Sequence, residues 1–181
     1  MTTSPTILWQ PSKERIARSN ISAFIKLVNK RWQAGVANSN ALYDWSVGRP
    51  EQFWTSVWDF CGVIAESRGE RALIDGDKMP GAQWFPDAKL NFAQNLLRRR
   101  DDETAMVFWG EDKVRRRMSF ADVYDAVSRT TQALSAAGVK EGDRVAAFMP
   151  NMPETIIFML AASSLGAIWS SCSPDLSLIH I

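Results

Sequence analysis

The stretch Gly142–Asp175, GDRVAAFMPNMPETIIFMLAASSLGAIWSSCSPD, decides the fold of this chain. Its first part, Arg144–Met149, is a short and mostly apolar run that ends at Pro150, which predicts a strand buried on both faces. Ala167–Cys172 has a similar character and predicts a second strand. A strand, a crossover helix and a parallel strand form a βαβ unit, which is almost always right-handed. The stretch therefore predicts an α/β fold.

The segment between the two strands predicts a buried helix. Asn151 is expected to cap it, with Pro153 in the first turn and Glu154 three residues after the cap, the spacing of a capping box. Gly166 is expected to end the helix with a positive φ angle. Apolar side chains cover most of its surface: Ile156, Ile157, Met159, Leu160 and Leu165.

A membrane-spanning helix is the competing interpretation of the same residues. No charged side chain occurs between Glu154 and Asp175, a gap of about twenty residues, which is the length of a membrane span. Five serines and Gly166 dilute the hydrophobicity, however, and no Lys/Arg cluster lies close to either end to set an orientation. We therefore favour the buried βαβ unit.

Composition is that of an ordinary globular protein and disfavours some function classes. Apolar residues make up 46% and charged residues 23% of the 181 residues, and 21 basic against 20 acidic residues leave a net charge of +1. Neither nucleic acid nor a membrane is expected as a partner, because the bulk charge attracts neither. Cys61 and Cys172 are expected to be core residues in a reducing compartment. The first residues lack the pattern of a secretory signal, so the cytosol is the expected location.

The residues before the βαβ unit predict a helical region that is rich in tryptophan. Apolar spacing predicts helices in Ile21–Trp32, Gln52–Glu66 and Asn91–Arg100. The third helix is expected to turn three side chains inward: Phe92, Leu96 and Leu97. Six tryptophans precede Val107, and their neighbours are mostly acidic, proline or apolar residues. We interpret these rings as anchors for loops rather than as a platform for nucleic-acid bases.

A strand hairpin and a helix are predicted next. Thr104–Trp109 and Val114–Phe120 predict the two strands, and Ser119 with Asp122 predicts a capping box at the start of a helix. The resulting order β, β, α, β, α, β is consistent with a growing α/β sheet. We place the boundary between the helical region and this sheet near residue 100.

Motifs for common catalytic sites are missing from the sequence. It contains no GxxxxGK[ST] loop, no GxGxxG after a strand and no GxSxG elbow, and its one histidine is His180. Ligands of open α/β sheets bind beyond the carboxyl ends of the strands, where Ser173, Pro174 and Asp175 are expected. The serines there are equally consistent with a purely structural role, as small residues at the end of a buried strand.

Five blocks of sequence carry a family resemblance: ERIARSNISAF (Glu14–Phe24), DWSVGRPEQFWTSVWDFCGV (Asp44–Val63), MPGAQWFPDAKLNFAQNLL (Met79–Leu97), GDRVAAFMPNMPET (Gly142–Thr155) and SLGAIWSSCSPD (Ser164–Asp175). Together they resemble the acetoacetyl-CoA synthetases, a branch of the adenylate-forming superfamily of acyl-CoA ligases. The WFP and GDRV blocks occur widely in acetyl-CoA-synthetase-like enzymes. The WSV-RPE-FW and GAIWSSCSPD segments narrow the resemblance to the acetoacetate branch.

The resemblance implies an activity and its cofactors. Such ligases use ATP and Mg²⁺ to convert a carboxylate, here acetoacetate, into an acyl-adenylate and pyrophosphate, and then transfer the acyl group to CoA. It further implies that residues 1–100 form an acetyl-CoA-synthetase-like extension and that residues 101–175 begin an AMP-binding adenylation domain. The phosphate loop, the adenine motif, the ribose-binding aspartate and the catalytic lysine lie further along in the family. We therefore expect an N-terminal fragment that is inactive alone, with no catalytic residue and no metal ligand.

The resemblance also assigns a binding role to the end of the chain. Ser173, Pro174 and Asp175 correspond to the loop that borders CoA in related ligases, although that loop usually reads Phe-Gly-Gly. Trp84–Pro86 and Asn91 are expected to fix the N-terminal segment rather than to touch substrate. Residues 176–181, LSLIHI, do not continue the family pattern and are expected to be a non-native tail. A related short-chain acyl-CoA synthetase and a short protein that binds CoA or a partner without catalysis remain alternatives.

Overall fold

The structure, a computed structural model, describes residues 8–111 and 113–174. Contacts within the chain divide it into two compact units. The first comprises the residues up to Val63 together with Arg68–Ala88, and the second comprises Ile64–Ser67 together with the residues from Lys89 onward. The domain bounds expected from the family, at residue 100, stay a prediction, because these units are defined by contacts alone.

Within the described residues, the first unit contains four helices and a minimal hairpin. The helices are α1 (Lys13–Ala17), α2 (Asn20–Trp32), α3 (Ser39–Gly48) and α4 (Pro50–Phe60), and the antiparallel strands are β1 (Leu73–Ile74) and β2 (Gln83–Trp84). The predicted helix α2 is confirmed, and Ser19 caps it by accepting a hydrogen bond from the Ser22 amide. Helix α4 begins earlier than predicted, with Pro50 in its first turn. It also ends earlier, because Gly62 adopts a φ angle of 59°.

Aromatic side chains hold the first unit together. Its core contains Phe24, Val28, Val36 and Leu42. The Trp54 ring meets the Trp84 ring edge-on at 5.8 Å, and the Trp58 ring lies 4.8 Å from the Phe85 ring. The tryptophans of α4 thus hold the loop that carries β2, as interpreted from the sequence. The expectation that Cys61 is a core residue is wrong, because it caps the end of α4 and is exposed.

The second unit contains three helices and two strand pairs in the part that the structure describes. Its elements are α5 (Phe92–Leu96), β3 (Thr104–Gly110), β4 (Val114–Ser119), α6 (Phe120–Ala136), β5 (Arg144–Phe148), α7 (Pro153–Ser164) and β6 (Ile168–Cys172). The hairpin β3–β4 is antiparallel and the pair β5–β6 is parallel, so the predicted element order and the α/β class are confirmed. Among the described residues, however, the two pairs remain separate two-stranded sheets. Helix packing connects them instead, since α6 contacts the hairpin and α7, and α7 contacts β6.

The start of α6 follows the sequence prediction closely. The Ser119 hydroxyl accepts a hydrogen bond from the Asp122 amide at 3.1 Å, and the Asp122 carboxylate accepts one from the Ser119 amide at 2.9 Å. This is a complete capping box. The hydrogen bond from the Ser119 amide is the main cause that holds the pKa of Asp122 below its usual value, with a smaller contribution from the Ser119 side chain, because both favour the charged carboxylate.

The start of α7 differs from the prediction. The helix begins at Pro153 after Met152, and no side chain caps its amino end, so Asn151 is not the cap. Glu154 does not close a capping box either, because it pairs with Arg116. Gly166 has the expected positive φ of 72° just after the helix. No helix among the described residues is long and apolar enough to cross a membrane.

A single core cluster organises the second unit. Its buried members are Ala93, Met118, Val123, Val127, Ile157, Leu160 and Ala161. The prediction for α5 is partly wrong, because Phe92 is 58% exposed and Leu96 is 51% exposed, and Ala93 is the buried side chain instead. The prediction that β5 is buried on both faces is also wrong, since the side chains on one of its faces, Arg144, Ala146 and Phe148, are exposed, and Phe148 is 59% exposed.

Candidate functional site

The carboxyl ends of β5 and β6 lie side by side. The strands pair in parallel register from Arg144 with Ile168 to Phe148 with Cys172. Beyond the last pair, the Met149 amide donates a hydrogen bond to the Cys172 carbonyl at 3.1 Å. Both loops therefore leave the sheet at the same edge, which is where open α/β sheets bind their ligands.

The structure places two of the three predicted site residues at this edge. Ser173 and Pro174 follow Cys172 directly, the former half-buried and the latter exposed. Asp175 lies outside the described residues, as do residues 176–181 with His180. The loop after β5, which runs from Pro150 to Met152 into α7, faces the same edge of the sheet.

Two contacts of α7 fix that neighbouring loop. The Thr155 hydroxyl donates a hydrogen bond to the Pro150 carbonyl at 2.8 Å. Pro153 is buried at the first position of α7. The turn after β5 is thus tied to the helix that follows it, which limits how far the edge of the site can move.

An ion pair anchors the start of α7 to the hairpin. Arg116 of β4 contacts the Glu154 carboxylate at 2.5 Å, and both side chains are partly exposed. The hydrogen bond from Arg116 holds the pKa of Glu154 below its usual value, and desolvation opposes the effect. The second carboxylate oxygen of Glu154 is buried without a hydrogen-bond partner among the described residues. The sequence did not reveal this pair, because its members lie 38 residues apart in different elements.

A cavity of about 330 Å³ opens beside the start of α7. Its lining comes from β3 and from the loop that leads into α7: Ala105, Met106, Val107, Phe108, Asn151, Met152, Pro153 and Ile156. Apart from the Asn151 amide these side chains are apolar. The cavity can therefore accommodate an apolar group beside the strand ends but supplies no acid or base to a reaction.

A larger cavity of about 570 Å³ lies elsewhere in the second unit, beside α5 and α6. Its polar lining includes Asn91, Gln94, Arg98, Arg100 and Tyr124. The Arg100 guanidinium stacks over the Tyr124 ring at 3.8 Å, so part of this lining has a structural partner. We place the candidate site at the strand ends rather than here, because only the strand ends combine the parallel topology with the predicted residues.

Trp84 and Phe85 of the WFP segment and Asn91 of the LN segment make contacts within the fold. Asn91 caps α5 by accepting a hydrogen bond from the Gln94 amide at 3.1 Å. Its amide nitrogen also donates to the Ser163 carbonyl at 2.9 Å, near the end of α7. Trp84 and Phe85 pack against the tryptophans of α4. These contacts explain why Trp84, Phe85 and Asn91 are present, and no role in substrate binding is needed.

The positions of the acidic, histidine and cysteine side chains bear on whether the described residues could hold a metal ion. Between residues 8 and 174, with position 112 left aside, no group of three His, Cys, Asp or Glu side chains could hold a metal ion. The described residues therefore offer no cluster that would hold Mg²⁺ by protein side chains alone.

Two family profiles match successive parts of the chain. The acetyl-coenzyme A synthetase N-terminus matches residues 39–96, and the AMP-binding enzyme family matches residues 92–180. Together they extend from the start of α3 through both strand pairs.

Individual relatives indicate the same family as the two profiles. The chain is similar to the acetoacetyl-coenzyme A synthetase of Rhizobium meliloti (strain 1021), with 53% identity over 93% of this chain and 26% of the relative. It is 32% identical to the malonamoyl-CoA synthetase of Penicillium aethiopicum over 96% of this chain and 25% of that relative. The solved structure of acetoacetyl-CoA synthetase from Streptomyces lividans matches with a TM-score of 0.86 and 35% identity, covering 96% of this chain and 27% of the other.

The extent of these matches shows which part of its relatives the chain corresponds to. It spans about a quarter of the length of the relatives, and it matches a profile that is specific for the N-terminus of acetyl-coenzyme A synthetase. The match to the solved structure covers nearly all of both units. The chain therefore belongs to the acyl-CoA synthetases of the AMP-binding enzyme family and corresponds to their N-terminal part.

Proposed function

We propose that this chain is the N-terminal part of an acetoacetate–CoA ligase. The reaction converts ATP, acetoacetate and CoA into AMP, pyrophosphate and acetoacetyl-CoA. The 53% identity to the acetoacetyl-coenzyme A synthetase of Rhizobium meliloti, over 93% of the chain, is the observation that carries this proposal. Acetoacetate is favoured over malonamate as the acyl substrate because the 53% identical relative is an acetoacetyl-coenzyme A synthetase, whereas the malonamoyl-CoA synthetase is 32% identical, no more than several other acetoacetyl-CoA synthetases.

The reaction has two half-reactions, and the chain contributes to them unequally. In adenylation, a carboxylate oxygen attacks the α-phosphorus of ATP and pyrophosphate leaves. In thioester formation, the CoA sulfur attacks the acyl carbon, loses its proton, and AMP leaves. Neither a phosphate loop in the sequence nor a metal-holding cluster in the described residues serves the first step. We propose that the isolated chain is inactive for this reason.

We propose a CoA-bordering role for Ser173, Pro174 and Asp175. Support comes from the position of Ser173 and Pro174 at the carboxyl end of β6, beside the loop that follows β5. The pinned start of α7 provides a fixed wall for such a ligand, and the adjacent cavity is apolar. The proposed role is the positioning of CoA and not the transfer of its thiol proton.

The activity is tested with the isolated chain and with a chimera. In the chimera, this chain replaces the matched segment of the Rhizobium meliloti enzyme. We expect acetoacetate-dependent pyrophosphate release from the chimera and none from the isolated chain above a mock preparation. Acetate and malonamate serve as competing substrates. A chimera that prefers either of them over acetoacetate, or an isolated chain that releases pyrophosphate, contradicts the proposal.

The CoA role is tested by Pro174→Gly in the same chimera. The substitution loosens the loop after β6, so we expect the KM for CoA to rise about tenfold, equivalent to about 1.4 kcal/mol. Adenylation, measured as acetoacetate-dependent exchange of pyrophosphate into ATP without CoA, is expected to be unchanged. Ser135→Ala on the exposed side of α6 is the matched control. A loss of exchange activity with an unchanged KM for CoA refutes the assignment.

We further propose that the enzyme acts in the cytosol on small-molecule substrates alone. The sequence supports this through its balanced charge, which gives nucleic acid and anionic membranes no bulk attraction. Fractionation of cells that produce the complete enzyme tests the location, and recovery of the activity in the membrane fraction contradicts it.

A further inference from the structure

Three consecutive arginines follow α5 and occupy two different environments. The helix ends before them and has no basic residue in its last turn, so they lie beyond the turn in which the helix dipole favours basic residues. Arg99 donates two hydrogen bonds to the Asp101 carboxylate, both at 2.9 Å, and its guanidinium lies over the Phe120 ring. Arg98 and Arg100 line the cavity of about 570 Å³ instead. The arginine run thus places two positive charges beside one cavity.

The cavity, which we call the arginine cleft, has no acidic side chain in its lining within the part of the chain that the structure describes. Its other polar groups are the side-chain amides of Asn91 and Gln94 and the hydroxyls of Tyr124 and Ser164. Arg100 forms no ion pair with any described residue. A cleft with two guanidinium groups and no carboxylate attracts anions.

Tyr124 holds the Arg100 side chain in position. The Cζ atom of Arg100 lies 3.8 Å from the centroid of the Tyr124 ring, and Tyr124 is half-buried on α6. Stacking occupies one face of the guanidinium and leaves the N–H groups in its plane available to a ligand. A guanidinium held in this way offers a fixed pair of donors that matches two oxygens of one phosphate or carboxylate.

The charge of the cleft favours phosphate over carboxylate. A carboxylate carries a single negative charge, whereas a phosphate monoester carries about −1.5 to −2 at neutral pH and has three strong acceptor oxygens. Arg98 and Arg100 supply two positive charges to match it. The Gln94 amide and the Tyr124 hydroxyl are further donors in the same lining.

A second cavity of about 230 Å³ extends the cleft along α6. The two cavities share Leu97, Tyr124 and Ser164 in their linings, so they lie side by side. Among the described residues, the second cavity adds polar side chains of α6 and no charged one. The Thr131 hydroxyl there donates to the Val127 carbonyl at 2.9 Å, which leaves its oxygen able to accept a hydrogen bond. This extension suits an uncharged body that carries hydroxyl groups.

We propose that the arginine cleft binds a phosphate monoester of a small hydroxyl-bearing molecule, such as a sugar phosphate. The phosphate lies between Arg98 and Arg100, and the uncharged body lies along α6 beside Tyr124 and Thr131. The larger cavity alone, at about 570 Å³, has the size of a small-molecule site, which is about 300–1,000 Å³. A bare phosphate ion is much smaller than this space. The site binds its ligand independently of the proposed ligase reaction.

Calorimetric titration of the isolated chain with ribose 5-phosphate tests the proposal, at about 0.15 M salt so that general charge attraction is screened. We expect Arg100→Gln to weaken binding about tenfold, because the charge-assisted hydrogen bonds of one guanidinium are lost. Arg99→Gln is the matched control, because it removes the same charge one position away and outside the cleft. Its dissociation constant is expected to equal that of the wild type. Equal weakening by the two variants overturns the proposal.

A second variant and two further probes test the geometry of the site. Arg100→Lys keeps the charge but loses the planar pair of donors, so we expect binding to weaken about threefold. Inorganic phosphate is expected to bind several times more weakly than ribose 5-phosphate, and ribose without phosphate is expected not to bind. Inorganic phosphate that binds as tightly as ribose 5-phosphate overturns the assignment of a hydroxyl-bearing ligand.

The same titration in the chimera with the Rhizobium meliloti enzyme separates this proposal from the proposed function. Binding of ribose 5-phosphate that Arg100→Gln weakens, in a chimera without ligase activity, supports the arginine cleft and rejects the acetoacetate reaction. An active chimera in which Arg100→Gln leaves the binding unchanged supports the reaction and rejects the cleft. Absence of saturable binding in both the isolated chain and the chimera also overturns the cleft.

Discussion

The core between α6 and α7 and the parallel pair β5–β6 belong to the same unit but are stabilised differently. The core buries seven side chains, among them Val127 at 2% and Leu160 at 4% exposure. None of these seven comes from β5 or β6, whose residues are exposed or half-buried. Backbone hydrogen bonds hold the strands in register, while helix packing provides the burial. Secondary structure and core formation are thus separable within one βαβ unit.

Leu160→Ala tests this contrast with the largest expected effect. Leu160 is 4% exposed in the core, so its truncation is expected to lower the free energy of unfolding by about 2–5 kcal/mol. Phe148→Ala, at a 59% exposed position of β5 in the isolated chain, is the matched control, and we expect a change within about 0.5 kcal/mol. Urea denaturation measures both. Equal losses for the two variants would falsify the distinction between the buried core and the exposed side chains of β5.

Ser119→Ala sharpens the comparison by testing a local determinant of the core. The substitution removes the hydroxyl that accepts a hydrogen bond from the Asp122 amide and opens the capping box of α6. We expect the free energy of unfolding to fall by about 1 kcal/mol. Ser135→Ala in the same helix is the control and is expected to leave stability unchanged or slightly raised. A loss at Ser135 as large as that at Ser119 contradicts the capping role.

Glu154→Gln has the smallest expected effect and tests the tie between the hairpin and α7. The pair with Arg116 is partly exposed, so its loss is expected to cost less than about 1 kcal/mol at neutral pH. The folded state lowers the pKa of Glu154, so the pair stabilises the fold above the ordinary glutamate value of 4.5. This contribution is lost as the pH falls through the lowered pKa.

The measurement for Glu154→Gln is the difference in unfolding free energy from the wild type as a function of pH. We expect a constant difference from about pH 6 to about pH 8 and a shrinking one below about pH 4.5. Glu70→Gln, at an exposed glutamate of the first unit, is the control. A difference that grows on acidification contradicts the assignment.

Predictions from the sequence succeeded where the determinants are close together in the chain. Ser119 and Asp122 lie three residues apart, and their capping box is present as predicted. The same sequence logic failed at Asn151, because Glu154 has a distant partner in Arg116 that a local pattern cannot show. For the candidate site, the positions of Ser173 and Pro174 followed from the order of the strands alone. The contacts of the loops around these two residues could not be predicted from the order of the strands.

The sequence by itself determined the cap of α6, the hairpin, the βαβ order and the family, because these depend on neighbouring residues or on blocks of consecutive residues. Only the tertiary structure decided which faces are buried. It separated the two strand pairs, exposed Phe92 and Phe148, and joined Arg116 to Glu154. The physical reason is that burial and ion pairing depend on what lies opposite a side chain in space. Residues far apart in the chain supply that environment, and no local pattern encodes it.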